Sequence, residues 1–232
     1  MSNLENYMKQ QAIFCEQNDS ISKNLYSEYG VKRGLRDEKG QGVLTGLTNI
    51  SDIKAFEYHD GVKSPCDGEL SYRGYNIKDL VTGSKGKRFV FEEGAYLLLF
   101  GELPTDTQLM EFQGRLSDCM ELPTNFTRDV IMKAPTSDIM GSMTRSILTL
   151  GSYDKEKESL EIPNVLRQSM QLIAVFPMLA VYAYHAYCHY EKNESMYIHR
   201  PEKDLSIAEN FLRLLRPDTK FTELEARVLD IA

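Results

Sequence analysis

With 232 residues, 42% of them hydrophobic, the chain is long enough for one large domain or two small ones with a substantial core. Its net charge of −7 and pI near 5.2 exclude nucleic acid as a main partner, because phosphate binding needs a basic surface. No apolar run reads as long enough to span a bilayer, and the polar start MSNLENYMKQQ predicts no signal peptide. Cys15, Cys66, Cys119 and Cys188 lack the paired spacing of a zinc site or a redox dithiol. They read as reduced thiols of a cytoplasmic protein.

Taken in chain order, residues 3–28 are polar with sparse apolar positions, as in a peripheral helix. A Gly- and charge-rich loop follows, with short strands. Turn residues between Tyr58 and Glu69 let strands near 55–58 and 70–73 pair. In LSYRGYNIKDL, Tyr72 and Tyr75 suit extended backbone, Gly74 permits a turn, and Asn76 can cap a helix. Arg73 at that corner is expected to hold a carbonyl or a carboxylate.

From residue 76 the pattern is helical. FEEGAYLLLFGELP reads as a buried helix ended by Gly101 and stopped by Pro104. Thr105 can cap the next helix, Thr124 and Ser137 begin two more, and KEKESLEI is a charged linker. The longest helix runs through Pro177. The helices at 139–150 and 165–188 are apolar on nearly every face, so part of their burial is expected from a second copy of the chain. Leu224, Val228 and Ile231 form a stripe with no stop signal after it, and the sequence is expected to be cut inside a helix.

Chemistry is sparse. His185 and His189 stand one helical turn apart, a spacing that can hold a metal. Their tyrosine-rich surroundings favour a packed helix end instead, so no metal is expected. No phosphate-binding glycine loop or nucleophile elbow is present. Cys188 beside His189 does not orient a nucleophile and base. Tyr29-Gly30-Val31-Lys32-Arg33-Gly34-Leu35-Arg36 sets three cations on a flexible loop, suited to a phosphate, a carboxylate or an internal ion pair.

In order along the chain, YGVKRGL (29–35), GLTNISD (46–52), LSYRGYNIKDL (70–80), FEEGAYLLLFGELP (91–104) and RPEKDLSIAENF (200–211) resemble the N-terminal half of a citrate synthase. RGLRDEKGQGVLTGLTN is similar to the clostridial-type branch. The resemblance implies an all-α, multi-helical fold with a small N-terminal β-hairpin. Residues 1–75 would hold the N-terminal helix, loop and short strands, and 76–232 the first segment of the helical large domain. It also implies an acyltransferase joining acetyl-CoA to oxaloacetate to give citrate and CoA, with no cofactor besides these substrates. In the family a carboxylate and two histidines carry the chemistry, and these are expected beyond Ala232. The chain alone is therefore expected to be inactive and to hold no catalytic residue.

Arg33 matches an arginine that reaches a CoA phosphate, so the resemblance makes it the CoA-binding candidate. Two positions depart from the family pattern. Ile207 stands where many members have a histidine that binds oxaloacetate, and Asp138-Ile139-Met140 stands where many have His-Pro-Met. Three readings stay open: a citrate synthase fragment, a fragment of the propionyl-CoA-using 2-methylcitrate synthase, and a non-enzymatic helical dimerisation module. Homodimerisation through 139–150 and 165–188 is expected under each.

Overall fold

The structure, a computed structural model, describes residues 22, 24–30, 34–37, 39–43 and 48–232. Two compact units divide the chain, Met1–Thr48 and Asn49–Ala232. In the first, a short helix α1 (Asn24–Glu28) is followed by a loop in which Arg36 and Gly42 form an isolated antiparallel bridge. Asp37 accepts the backbone N–H groups of Lys39 and Gln41 through its Oδ1, which closes that loop locally.

The second unit opens with an antiparallel sheet of β1 (Ser51–His59), β2 (Val62–Tyr72) and β3 (Tyr75–Asn76), in that spatial order. His59 pairs with Val62 across Asp60-Gly61, both at positive φ, which is the two-residue turn whose twist matches a hairpin. The strands are longer than the expected 55–58 and 70–73. Pro65, Asp67 and Gly68 do not make a turn; the register shifts between Lys54 and Phe56, and an irregular stretch of β2 absorbs them. Tyr72 pairs with Tyr75 across Arg73-Gly74, again with both φ values positive. The Arg73 guanidinium donates to the Leu98 carbonyl from Nη2 at 2.8 Å and Nε at 3.3 Å. Of the two partners expected, a carbonyl or a carboxylate, it is a carbonyl, and it lies in the last turn of a helix, where a cation is favoured.

Helices make up most of the rest: α2 (Ile77–Gly83), α3 (Val90–Phe100), α4 (Asp106–Asp118), α5 (Ile139–Leu150), α6 (Ile162–Lys192), α7 (Ile207–Leu215) and α8 (Glu223–Ile231), with one π-helical turn at Thr127–Ile131. Their ends follow local chemistry. Asn76 caps α2, and Gly101 at φ 88° ends α3. Capping boxes open α4 (Thr105/Gln108), α7 (Ser206/Glu209) and α8 (Thr222/Glu225).

The core centres on α6. Ala174, Val175, Met178, Leu179, Tyr182 and Ala183 pack with Phe112 and Leu116 of α4, Phe126 and Ile131 around the π turn, and Ile207 and Leu214 of α7. The helix continues through Pro177, as expected. One sequence reading needs correction. By length and composition α6 is apolar enough to cross a bilayer. Here it serves as a core helix, with Asn164 and His185 buried along it and other helices packed against it. Val175 is 0% exposed inside this core, whereas Met140 and Leu148 of α5 are each 73% exposed.

Candidate functional site

The N-terminus of α7 gathers the most unusual chemistry in the second unit. Ser206 caps the helix by accepting from the Glu209 N–H, and Glu209 returns the bond to the Ser206 N–H. The next amide, Ile207 N–H, would be unsatisfied in an isolated helix. It donates to Glu92 Oε1 at 2.8 Å, from α3 and 115 positions earlier in the chain. Glu92 is 1% exposed, and its Oε2 has no hydrogen-bond partner. Burial, opposed by the Ile207 bond and reinforced by the charges of Asp230 and Glu209, raises this carboxyl from 4.5 to about 7.

Two further carboxylates complete the arrangement. Asp230 of α8 accepts from the Val90 and Phe91 N–H groups at 2.9 and 3.0 Å, capping the start of α3 from the far end of the chain. Glu209 receives a fork from Arg88, which also donates to the Asp204 carbonyl. Burial alone would raise the Glu209 carboxyl, but Arg88 and the Ser206 amide outweigh it and hold it below its ordinary value. On one side the α7 terminus borders a polar cleft of about 340 Å³ lined by Arg88, Ser206, Glu209, Arg227 and Asp230. On the other, Ile207, Ala208 and Phe211 wall an open apolar groove of about 540 Å³ with Phe91, Met143 and Phe176.

The sequence candidates fall in different places. Ile207 is the first residue of α7, at the groove wall. Asp138 is the N-cap of α5, accepting from Gly141 N–H at 2.9 Å, so its carboxylate fills a structural place. Its helix contributes Met143 to the groove walled by Ile207, while Asp138, Ile139 and Met140 do not line it. Arg33, the CoA-binding candidate, lies outside the described residues.

The histidines are dispersed. His185 is buried with Nε2 3.1 Å from the Leu214 carbonyl, and burial lowers its pKa. His189 Nδ1 lies 2.7 Å from the Glu194 carbonyl, His59 stands exposed beside Glu57, and the His199 carbonyl accepts from the Tyr182 hydroxyl. No group of three metal-ligating side chains occurs among the described residues. Cys66, Cys119 and Cys188 are free thiols.

Sequence reasoning missed Glu92. The signal was available: Glu92, Tyr96 and Leu99 share one face of α3, and Tyr96 and Leu99 pack on the core. A carboxylate on an apolar face needs a buried partner.

The family profile described as citrate synthase, C-terminal domain, matches residues 35–232. The chain belongs to the citrate synthase family. The citrate synthase of Corynebacterium glutamicum is 30% identical over 149 residues, covering 64% of this chain and 32% of that protein. A 2-methylcitrate synthase of Shewanella oneidensis is 30% identical over 164 residues, covering 70% of this chain and 40% of its own length. This chain thus spans about a third to two fifths of the curated relatives it matches. The crystal structure of citrate synthase from Pyrobaculum aerophilum superposes with a TM-score of 0.65 over 87% of this chain and 48% of that one, at 24% identity. That likeness shows the fold, which is the all-α fold with a small sheet expected from the sequence.

Proposed function

We propose that these residues form the first part of the large domain of a citrate synthase, whose whole length condenses acetyl-CoA with oxaloacetate and water to give citrate and CoA. The observation that carries the reading is the family match over 35–232, with the motifs in family order. The condensation needs a positioned base and hydrogen bonds to a developing enolate oxygen. The family's catalytic carboxylate and histidines are expected beyond residue 232, so the 232-residue chain alone is expected to be inactive. Arg33 is assigned to a CoA phosphate. With Ile207 unable to hydrogen-bond through its side chain, oxaloacetate would be held by other groups of the whole enzyme.

A thiol-release assay tests this reading. The chain alone should release no CoA in a reaction dependent on both substrates. Reading the gene on from codon 232 should give a longer product that does, and its preference for acetyl-CoA or propionyl-CoA decides between the citrate and 2-methylcitrate readings. The Shewanella relative keeps the second reading open. Turnover by the 232 residues, or none by a product of family length, would overturn the proposal. The same reading includes a homodimer built on α5 and α6, for which the exposed Met140, Leu148, Val165 and Phe176 supply apolar surface.

A further inference from the structure

Two helix starts in the second unit, those of α3 and α7, are tied together by three carboxylates. Asp230 of α8 caps α3, Glu92 of α3 caps α7, and Glu209 of α7 closes its own capping box while gripping Arg88 just before α3. We propose that this joint is a pH-sensitive lock, closed while the buried Glu92 carboxyl carries a proton and loosened when it ionises, so that α8 and the first turn of α7 release together. The proposal does not depend on the catalytic reading above.

The geometry carries the argument. Glu92 Oε1 accepts from Ile207 N–H, and its Oε2 has no partner, although the residue is 1% exposed. A neutral carboxyl leaves one weakly unsatisfied group there; a carboxylate leaves a buried charge, which costs far more. The surrounding charges make this worse. From α7 comes Glu209, already bound by Arg88; from α8 come Asp230, held by two backbone amides, and Arg227, which reaches the Ser84 carbonyl at 3.4 Å. Before α3 lie Arg88 and Lys87, and Lys87 is engaged with Glu93 of α3 itself. Every cation around the joint thus has another partner, and the two nearby carboxylates oppose a third negative charge. The Asp230 carboxyl is itself raised, by burial first, despite its two amide bonds.

The proton leaves through solvent that is close at hand. Arg88, Glu209 and Asp230 line the polar cleft at the α7 terminus, so water reaches the edge of the joint once it opens. Ile207 stands between this cleft and the apolar groove, which makes the groove wall the part of the molecule that moves with the lock.

The sign follows from linkage. A carboxyl raised from 4.5 to about 7 in the folded state binds its proton more tightly folded than unfolded. Its contribution is fully present below about pH 4.5 and is lost as pH rises through about 7, with a change in the folding constant on the order of 100-fold. Glu92→Gln keeps the acceptor for Ile207 N–H and cannot ionise, so it should hold the lock closed at every pH.

The test uses the full 232-residue chain. Carboxyl-carbon NMR of the unmodified protein should show Glu92 titrating with a midpoint near 7; a midpoint near 4.5 overturns the proposal, and this measurement needs no variant. Hydrogen exchange at Val90, Phe91, Ile207 and the amides of α8, corrected for intrinsic rates, should lose protection between pH 6 and pH 8 in the wild type. In Glu92→Gln it should stay level. Equal protection at both pH values in the wild type, or the same loss in the Gln variant, also overturns it.

Discussion

The β1–β2 hairpin and helix α6 are both rich in apolar residues, yet they use them in opposite ways. On the hairpin, Ile53, Phe56, Tyr58 and Val62 are all exposed, and no residue of β1 is buried. On α6, eleven residues are buried, among them Asn164 and His185. The hairpin holds its register through the Asp60-Gly61 turn, the ladder, and surface contacts such as Lys63 over the Phe56 ring at 3.7 Å and Lys54 with Glu57 at 2.6 Å. Helix α6 holds its place by exclusion of water. Apolar content alone therefore does not locate the core; what a side chain meets across the fold does.

The sharpest way to break this comparison is a pair of truncations. Leu179→Ala, at a site with no exposure in the α6 core, should destabilise the chain by about 2–5 kcal/mol in urea unfolding. Ile53→Ala on the hairpin should change stability by no more than about 0.5 kcal/mol. Equal losses would mean that the hairpin is buried in the working protein by a partner.

The helices' exposed face gives the next test. Val175 lies in the chain's own core, so a charge there would report on folding and not on association. Leu148→Asp, on the exposed face of α5, should leave the melting temperature of the isolated fold nearly unchanged and shift sedimentation from dimer toward monomer. A wild-type chain that sediments as a monomer at all concentrations would refute the dimer.

Backbone turns offer a smaller effect. Gly61 and Gly74 sit at φ 81° and 86°, where a Cβ strains the chain even though nothing lies within 4 Å. Replacing either with Ala should cost roughly 1–2 kcal/mol. For Gly74 the loss should also loosen the Arg73 bond to Leu98, detectable as faster exchange in the last turn of α3.

The smallest effect is at acid pH. The Thr222 amide, then Arg216, hold the Glu225 carboxyl well down, at about 2. A lowered carboxyl contributes stability above about pH 4.5 that is lost as pH falls toward 2. Helix α8 should therefore fray on acidification, by an amount that Glu225→Gln makes pH-independent. The direction is opposite to that of Glu92 at the α3–α7 contact, so circular dichroism against pH separates the two.

Much of this molecule was legible in the sequence because its signals are local. Thr105, Ser206 and Thr222 each carry a partner three residues on, and Gly101 precedes a proline, so helix boundaries follow from a few adjacent residues. The motifs likewise led directly to the citrate synthase family. Strand limits were less legible, because Pro65, Asp67 and Gly68 read as a turn until Ala55 and its neighbours were seen to run past them.

What the sequence by itself determined is most of the helices from residue 76 on, the ends at Asn76, Gly101 and Thr105, and the family. Only the tertiary structure decided that Glu92 would meet Ile207, that Asp230 would cap a helix 140 positions earlier, and that Ile207 and Met143 would share a groove. The physical reason is range. A cap or a turn is satisfied within four residues and leaves its mark in the local pattern. A buried carboxyl is satisfied by whichever backbone amide the packing of three helices brings to it, and no short stretch of chain records that choice.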